Sequence, residues 1–324
     1  MNRKPLLQVE NLTVSFPARD SRTRMKAVND VSFEIYEGET LGLVGESGCG
    51  KTTLGRAVSL LQRAESGRIH FNGRDLLQTG GSELRKVRRQ IQMIFQSPFS
   101  SLDPRMSVLD TLSEALIYCK GIPAKRCIDE SSELMRQVGL DPSVIRKFPH
   151  EFSGGQRQRI AIARALAAGP SLVIADEPVS SLDVSVSAQI LSLLRQLRAK
   201  MTLTMLFISH DLSIVKYMSH RTAVMFKGVI VETGATEDLF NKPSHPYTKM
   251  LLDAIPVPDP SRKILPGHSV PERLSPDISS GGCFFRHRCP ISYERCAYET
   301  PALGPVGGNH YCACFRAASI EQPA

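Results

Sequence analysis

One short stretch limits what this chain can fold into more than any other. It carries the glycine, lysine and threonine pattern of a phosphate-binding loop, namely Gly45, Glu46, Ser47, Gly48, Cys49, Gly50, Lys51, Thr52 and Thr53. An apolar run at 40–44 predicts a buried strand before the loop, and 52–62 predicts a helix after it. The glycines let successive backbone N–H groups point at one anion, which the helix N-terminus also favours. The stretch therefore predicts a nucleotide site, with Lys51 on the phosphates and Thr52 on Mg²⁺.

The hydrophobic pattern around this loop predicts an α/β fold. Apolar runs at 171–175 and 202–209 alternate with helical patterns at 185–200 and 211–219, which indicates a mostly parallel sheet covered on both faces. Residues 6–16 and 27–40 alternate apolar and polar side chains like strands, with a polar loop at 17–26 between them. Helical patterns dominate residues 97–168 after a Pro/Ser-rich loop, so we expect a helical subdomain inserted there.

Composition narrows the class of partner. The net charge of +8 over 324 residues is modest, and basic residues are scattered, so a nucleic-acid partner is not expected. The N-terminus lacks the apolar core of a signal peptide, and no run reaches the roughly 18 apolar residues of a membrane span. We therefore expect a cytosolic protein whose membrane role, if it has one, comes through a partner.

Two further segments carry residues suited to nucleotide chemistry. The apolar run at 171–175 ends in Asp176 and Glu177; the first acid suits Mg²⁺, and the second, facing the other way, suits polarising a water. Ser153 precedes a helical pattern as a candidate N-cap, and the following glycines leave N–H groups exposed at the helix start. This second segment predicts a second anion site.

The segment Ser153, Gly154, Gly155 and Gln156 resembles the signature motif of ATP-binding cassette (ABC) ATPases, with Phe152 in place of the usual leucine. Other motifs of that family follow in the expected order. They are Phe16 as the aromatic residue that stacks on adenine, Gln96 as the Q-loop glutamine and a Mg²⁺ ligand, Asp176 and Glu177 as Walker B and catalytic glutamate, Asp183 as the D-loop aspartate, and His210 as the switch histidine. The resemblance covers residues 6–240. It implies a nucleotide-binding domain at 1–240, with a RecA-like core, an antiparallel β part and the helical subdomain at about 97–168.

The segment after residue 240 narrows the resemblance. His245, Pro246, Tyr247 and Thr248 are similar to a C-terminal motif of oligopeptide/dipeptide importer ATPases. The implied activity is ATP hydrolysis with Mg²⁺ at the cytoplasmic membrane face, powering peptide uptake. The implied partners are two permease subunits, a second and paralogous ATPase that completes each site with its signature motif, and an extracytoplasmic solute-binding protein. Import of nickel or another small solute, and a soluble ABC ATPase outside transport, stay open as alternatives.

Residues 241–324 form the expected small, irregular C-terminal domain. They hold twelve of the 21 prolines and, between 283 and 314, five of the eight cysteines. A small domain of this kind has little core and usually needs a metal or a covalent staple, and a cytosolic location disfavours disulfides. The family resemblance implies a 4Fe-4S cluster on Cys283, Cys289, Cys296 and Cys314. Zinc, free thiols, and Cys312 in place of Cys314 are the alternatives.

Overall fold

The structure is a computed structural model, and it describes residues 4–17, 24–97, 101–255 and 281–317. Residues 98–100 of the predicted Pro/Ser-rich loop and residues 256–280 of the C-terminal domain lie outside the described residues. None of the helices in the described part is long and apolar enough to cross a bilayer.

Strands of two sheets form the framework of the described residues. The strands are β1 (Pro5–Pro17), β2 (Arg24–Tyr36), β3 (Thr40–Val44), β4 (Ser66–Phe71), β5 (Arg74–Asp75), β6 (Ile91–Ile94), β7 (Leu172–Asp176), β8 (Thr204–Ser209), β9 (Arg221–Phe226), β10 (Val229–Ala235), β11 (Gly304–Gly307) and β12 (His310–Cys312). The smaller sheet is antiparallel, in the order β2-β1-β4-β5. The larger runs β11-β12-β10-β9-β3-β8-β7-β6, and its strands from β9 to β6 are parallel.

Helices lie on both sides of the larger sheet and in an insertion between β6 and β7. They are α1 (Lys51–Val58), α2 (Gly81–Gln90), α3 (Val108–Ala115), α4 (Cys127–Gln137), α5 (Gly154–Ala167), α6 (Val184–Met201), α7 (Leu212–Met218), α8 (Thr236–Asn241), α9 (Pro246–Asp253) and α10 (Arg295–Tyr298). Helices α3, α4 and α5 pack on one another as the predicted helical subdomain. A short π-helix, Leu116–Lys120, continues α3.

The larger sheet separates two hydrophobic cores, because successive side chains of a strand point to opposite faces. In β7, Val173 and Ala175 join the core shared with the helical subdomain. Leu172 and Ile174 join the core shared with the antiparallel sheet. All five residues of β7 are buried, as they are in β3. This two-sided burial explains why both strands read as continuous apolar runs.

Several local predictions are wrong at their ends. The strand expected over 27–40 is divided by a turn at 37–39, and the strand expected over 202–209 begins at Thr204. Residues 24–26, expected in a loop, belong to β2, where Lys26 pairs with Ser15 and Met25 with Phe16. The antiparallel ladder satisfies their backbone groups, although Arg24 and Lys26 carry charged side chains. The helix expected over 52–62 ends at Val58, because Leu60 adopts a left-handed conformation with φ of 58° that an α-helix cannot continue.

The C-terminal residues are structurally continuous with the rest of the chain. Strand β12 pairs antiparallel with β10 through Glu232–Cys312 and Thr233–Tyr311, so β11 and β12 extend the larger sheet at one edge. His310 places Nε2 2.7 Å from the Glu232 carboxylate, which is fully buried. Sequence patterns predicted irregular structure here and missed this strand addition.

Candidate active site

The phosphate-binding loop turns between the end of β3 and the start of α1, as its sequence predicts. Lys51 opens α1, and Gly50 precedes it with φ of 108°. A Cβ at Gly50 would come within 2.1 Å of the Ala27 carbonyl oxygen, so both conformation and space require glycine there. The loop thus approaches the antiparallel sheet while its helix end stays open to an anion.

Lys51 and Thr52, the predicted phosphate and Mg²⁺ ligands, contact the loop carbonyls and Asp176 respectively. The ammonium of Lys51 is buried and donates to the carbonyl oxygens of Gly45, at 2.7 Å, and Glu46, at 2.9 Å. The Thr52 hydroxyl donates to Asp176 Oδ1 at 3.0 Å, so the predicted magnesium pair is assembled from α1 and β7. Burial raises the pKa of Asp176 above its ordinary value. A divalent cation beside this carboxylate would offset that burial.

Three predicted catalytic residues from distant segments meet at one carboxylate. Gln96 Nε2 donates to Glu177 Oε2 at 2.9 Å, and His210 Nδ1 lies 3.1 Å from Glu177 Oε1. Glu177 itself has φ of 46°, a left-handed conformation that is rare for a residue with a side chain. Its N–H donates to the Ile208 carbonyl at 2.9 Å, which holds it at the end of the sheet. Backbone strain retained at such a position is typical of functional sites.

The signature segment begins α5, away from the phosphate-binding loop. The Ser153 hydroxyl accepts from the Gln156 N–H, and the Gln156 side chain accepts from the Ser153 N–H in return. A Cβ on Gly155 would come within 2.4 Å of Val186 Cγ1, so glycine allows α5 to pack against α6. Among the described residues no hydrogen bond or ion pair joins 153–156 to 45–53. Within this one chain, the two predicted anion sites are therefore not linked by such contacts.

Among the described residues, Asp183 and Phe16, the predicted nucleotide ligands outside both segments, have no such contact with the loop either. Asp183 is exposed and caps α6, accepting from the Val186 N–H at 2.9 Å and the Ser185 hydroxyl at 2.8 Å. Phe16 is half-buried on β1, opposite Met25 of β2. Ser47 and Gly48 are exposed at the tip of the loop, and Thr53 is half-buried in the first turn of α1.

Two C-terminal residues contact the phosphate-binding loop, and the sequence patterns gave no sign of it. The Glu46 N–H donates to the Tyr247 hydroxyl at 3.0 Å, and Tyr247 is fully buried. Arg288 donates twice to the Glu46 carboxylate, at 2.9 Å and 2.7 Å. The four-residue motif containing Tyr247 was visible in the sequence, but a sequence separation of 242 between Glu46 and Arg288 hid the pairing.

Four of the five C-terminal cysteines line one cavity. Its walls include Cys283, Cys289, Cys296 and Cys314, together with His245 from the start of α9. Burial raises the pKa of the Cys283 and Cys314 thiols and raises that of Cys289 to about 11. Cys312 is buried on β12 and is absent from this lining. The described part of the chain contains no group of three or more His, Cys, Asp or Glu side chains arranged to hold a metal ion.

Comparison with known proteins identifies the family. A family model described as ABC transporter matches residues 28–180, and one described as oligopeptide/dipeptide transporter, C-terminal region, matches residues 231–296. A putative peptide import ATP-binding protein of Brucella ovis is 46% identical over 321 residues, 98% of this chain and 99% of the relative. The oligopeptide transport ATP-binding protein OppF of Salmonella typhimurium is 45% identical over 327 residues, 97% of each chain.

Solved structures agree with this assignment. A dimeric structure of the ATP-binding cassette MJ0796, in a post-hydrolysis state bound to ADP and Pi, matches with a TM-score of 0.65 and 26% identity, covering 71% of this chain and 98% of that one. The structure of cbiO1 from Clostridium perfringens, part of the ABC transporter complex cbiONQ, matches with a TM-score of 0.64 and 26% identity, covering 74% and 91%. The α/β cassette expected from the sequence is confirmed, and ATP and Mg²⁺ are the cofactors of the family. The chain belongs to the ABC transporter family, as an ATPase with the oligopeptide/dipeptide transporter C-terminal region.

Proposed function

We propose that this chain is the ATP-hydrolysing subunit of an importer for di- or oligopeptides. The observation that carries this proposal is the identity of 45% to OppF over 97% of both chains, which includes the C-terminal region as well as the cassette. A small solute such as nickel stays the alternative cargo, since the solute does not touch this subunit.

The residues around the phosphate-binding loop suit hydrolysis of the terminal phosphate. Lys51 and the loop N–H groups would bind the phosphates, and Thr52, Asp176 and the Gln96 amide oxygen would hold Mg²⁺. The cation would neutralise charge on the phosphates. Because Gln96 and His210 both contact the Glu177 carboxylate, they orient it as the base for the attacking water.

The site is complete only with a second ATPase subunit. Ser153, Gly154, Gly155 and Gln156 present a capped helix start outside their own chain's loop, so they would bind the γ-phosphate held by a partner's loop. Asp183 would lie at the same interface, and Phe16 would stack on adenine. Hydrolysis removes the group that joins the two subunits, and the dimer opens. We infer that the second subunit is a paralogue.

The proposed function also implies membrane partners for this subunit. The helical subdomain, about 97–168, would transmit the opening to two permease subunits at the cytoplasmic face of the membrane, where this subunit binds peripherally. An extracytoplasmic solute-binding protein would deliver the peptide. We propose 1–240 as the nucleotide-binding domain and 241–324 as the C-terminal domain, although the latter contributes β11 and β12 to the larger sheet.

We also propose that Cys283, Cys289, Cys296 and Cys314 hold a 4Fe-4S cluster. The support is that these four cysteines line one cavity, although the described residues show no group already arranged to hold a metal ion. Burial disfavours the thiolates of Cys283, Cys289 and Cys314 unless a metal supplies positive charge. The cluster would cross-link the segments that carry these four cysteines. Zinc on the same thiolates stays the alternative.

Reconstitution tests the transport function. The subunit, its two permeases and the second ATPase, in liposomes with the solute-binding protein, should take up labelled oligopeptide only with MgATP. Uptake of nickel but not of peptide would identify nickel as the transported solute. A rate of ATP hydrolysis that does not change when the permeases or the solute are added would favour an ATPase outside transport.

Metal analysis tests the cluster. Protein purified without oxygen should carry about four irons per chain and absorb broadly near ~400 nm. Cys314→Ser should lose the iron, whereas Cys312→Ser should keep it, because Cys312 does not line the cavity. About one zinc with no iron would replace the cluster by a zinc site, and neither metal in the anaerobic protein would overturn the proposal.

A further inference from the structure

We propose that Arg288 and Tyr247 are positioning residues for ATP binding, through which the C-terminal domain holds the phosphate-binding loop in its binding conformation. The inference rests on ATP binding at this loop and is independent of the solute that the transporter carries.

Arg288 binds the side chain of Glu46, and Tyr247 binds its backbone. Arg288 forms two parallel hydrogen bonds with the carboxylate, at 2.9 Å and 2.7 Å, and Tyr247 accepts from the backbone N–H at 3.0 Å. A two-point pair between guanidinium and carboxylate fixes direction as well as distance. Side chain and backbone of the same loop residue are therefore both held from the C-terminal domain.

Glu46 in turn contacts Lys51, the lysine proposed to bind phosphate. The carbonyl of Glu46 accepts from the Lys51 ammonium at 2.9 Å, and the carbonyl of Gly45 does so at 2.7 Å. The Glu46 N–H held by Tyr247 and the Gly45 carbonyl belong to one peptide group. Rotation of that peptide would therefore take an acceptor away from Lys51 and change the direction of its side chain. Arg288 and Tyr247 thus act on bound phosphate through Glu46 and Lys51, without touching the nucleotide themselves.

An aromatic cluster makes this connection stiff. Phe226 at the end of β9, Tyr247 on α9 and Phe285 beside the cysteines pack with ring centroids 4.6 to 5.5 Å apart. The Arg288 guanidinium lies 5.9 Å from the rings of both Phe226 and Phe285. All three aromatic side chains are fully buried, so the arginine projects from a rigid base toward the loop.

The charge of Glu46 gives a second reason why its pairing with Arg288 should favour ATP binding. Glu46 is the acidic residue of a loop that must bind a polyanion, and its carboxylate is two-fifths exposed. Paired with Arg288, the carboxylate is neutralised. Unpaired, it would repel the phosphates and be free to draw Lys51 away from them. Loss of Arg288 should therefore weaken ATP binding only as long as residue 46 is charged.

The test is a double-mutant cycle on the full chain, which measures the binding of fluorescent ATP with Mg²⁺ and thermal unfolding. The kcat and KM of ATP hydrolysis are measured separately on the assembled transporter. Arg288→Ala should weaken binding about five- to tenfold, a typical coupling for contacting residues. Hydrolysis should show the loss in KM, with kcat within about twofold. Glu46→Gln removes the charge and weakens the two-point pair, so it should weaken binding, but by less than Arg288→Ala does; Glu46→Gln/Arg288→Ala should match Glu46→Gln within about twofold. Tyr247→Phe should also weaken binding.

Arg295→Ala is the matched control, because it removes a C-terminal guanidinium that pairs with Glu299 and not with the loop. Wild-type binding by Arg288→Ala, or equal losses in that variant and in the double variant, would overturn the inference. If Arg288→Ala does not fold, Arg288→Lys takes its place. It keeps the charge but not the two-point geometry, and should bind about threefold more weakly; wild-type binding would contradict us. Failure of the wild type to bind ATP would instead refute the proposed function.

Discussion

At the residue scale, the candidate site depends on a carboxylate held in place by groups far apart in the chain. Glu177 accepts from Gln96, which follows β6, and lies beside His210, which follows β8. Its left-handed backbone is secured by a hydrogen bond to Ile208. A residue fixed this way has few orientations, which suits a base that must meet one water.

Replacing Glu177 by glutamine should separate hydrolysis from binding. The amide keeps the size of the side chain but cannot accept a proton, so only stabilisation of the transition state is lost. We expect the kcat of the assembled transporter to fall about 10²- to 10⁴-fold, with ATP binding retained. Glu133→Gln, a surface change in α4, is the control. Hydrolysis near the wild-type rate would remove Glu177 from the catalytic role.

At the element scale, two helices of the insertion begin with the same capping arrangement. Ser107 caps α3 in a reciprocal pair with Asp110, and Ser153 caps α5 in a reciprocal pair with Gln156. Each satisfies N–H groups that a helix start leaves without partners. They differ in surroundings, because Ser107 is buried and Ser153 is exposed. Capping accounts for both serines, and exposure leaves only Ser153 accessible to a partner subunit.

This pair of caps provides a matched test of the signature motif. Ser107→Ala and Ser153→Ala should each lower the free energy of unfolding by about 1 kcal/mol, as loss of an N-cap does. Only Ser153→Ala should reduce ATP hydrolysis by the assembled transporter, while ATP binding by the isolated chain stays unchanged. Equal effects on hydrolysis would mean that Ser153 does no more than cap its helix.

At the scale of the whole molecule, several contacts of the described C-terminal residues attach them to the cassette. Strand β12 extends the larger sheet, Arg288 pairs with the phosphate-binding loop, and the buried Glu232 collects three donors. Those donors are the Ser244 and His245 N–H groups, at 2.6 Å and 2.9 Å, and His310 at 2.7 Å. A buried carboxylate is costly unless it is hydrogen-bonded. Through these hydrogen bonds, Glu232 of β10 holds the start of α9 and β12 in place.

Removing the Glu232 carboxylate should release the C-terminal residues. Glu232→Ala leaves buried donors without an acceptor, and we expect the free energy of unfolding to fall by about 3 kcal/mol. Limited proteolysis should then cut the C-terminal part before the cassette. The exposed Glu237→Ala should change stability by less than about 0.5 kcal/mol. Unchanged protease resistance in Glu232→Ala would show that the other attachments suffice.

The sequence by itself determined the motifs, and with them most of the cassette. Residues 45–53 require a strand before them and a helix after them, because only that arrangement aims backbone N–H groups and a helix start at one anion. The apolar runs in β7 and β8 predict buried parallel strands, because both faces of each strand are covered. These are local constraints, carried by a few adjacent residues, and they can be read without knowing what lies nearby in space.

Only the tertiary structure decided how distant segments meet. The contacts of Glu177 with Gln96 and His210 follow from the order of strands in the sheet, which brings the ends of β6, β7 and β8 to one edge. The pairing of Arg288 with Glu46, and of β12 with β10, joins segments that no periodicity relates. Such contacts depend on the packing of the whole chain, because a side chain's charge and reach predict what it can bind but not which neighbour the fold provides.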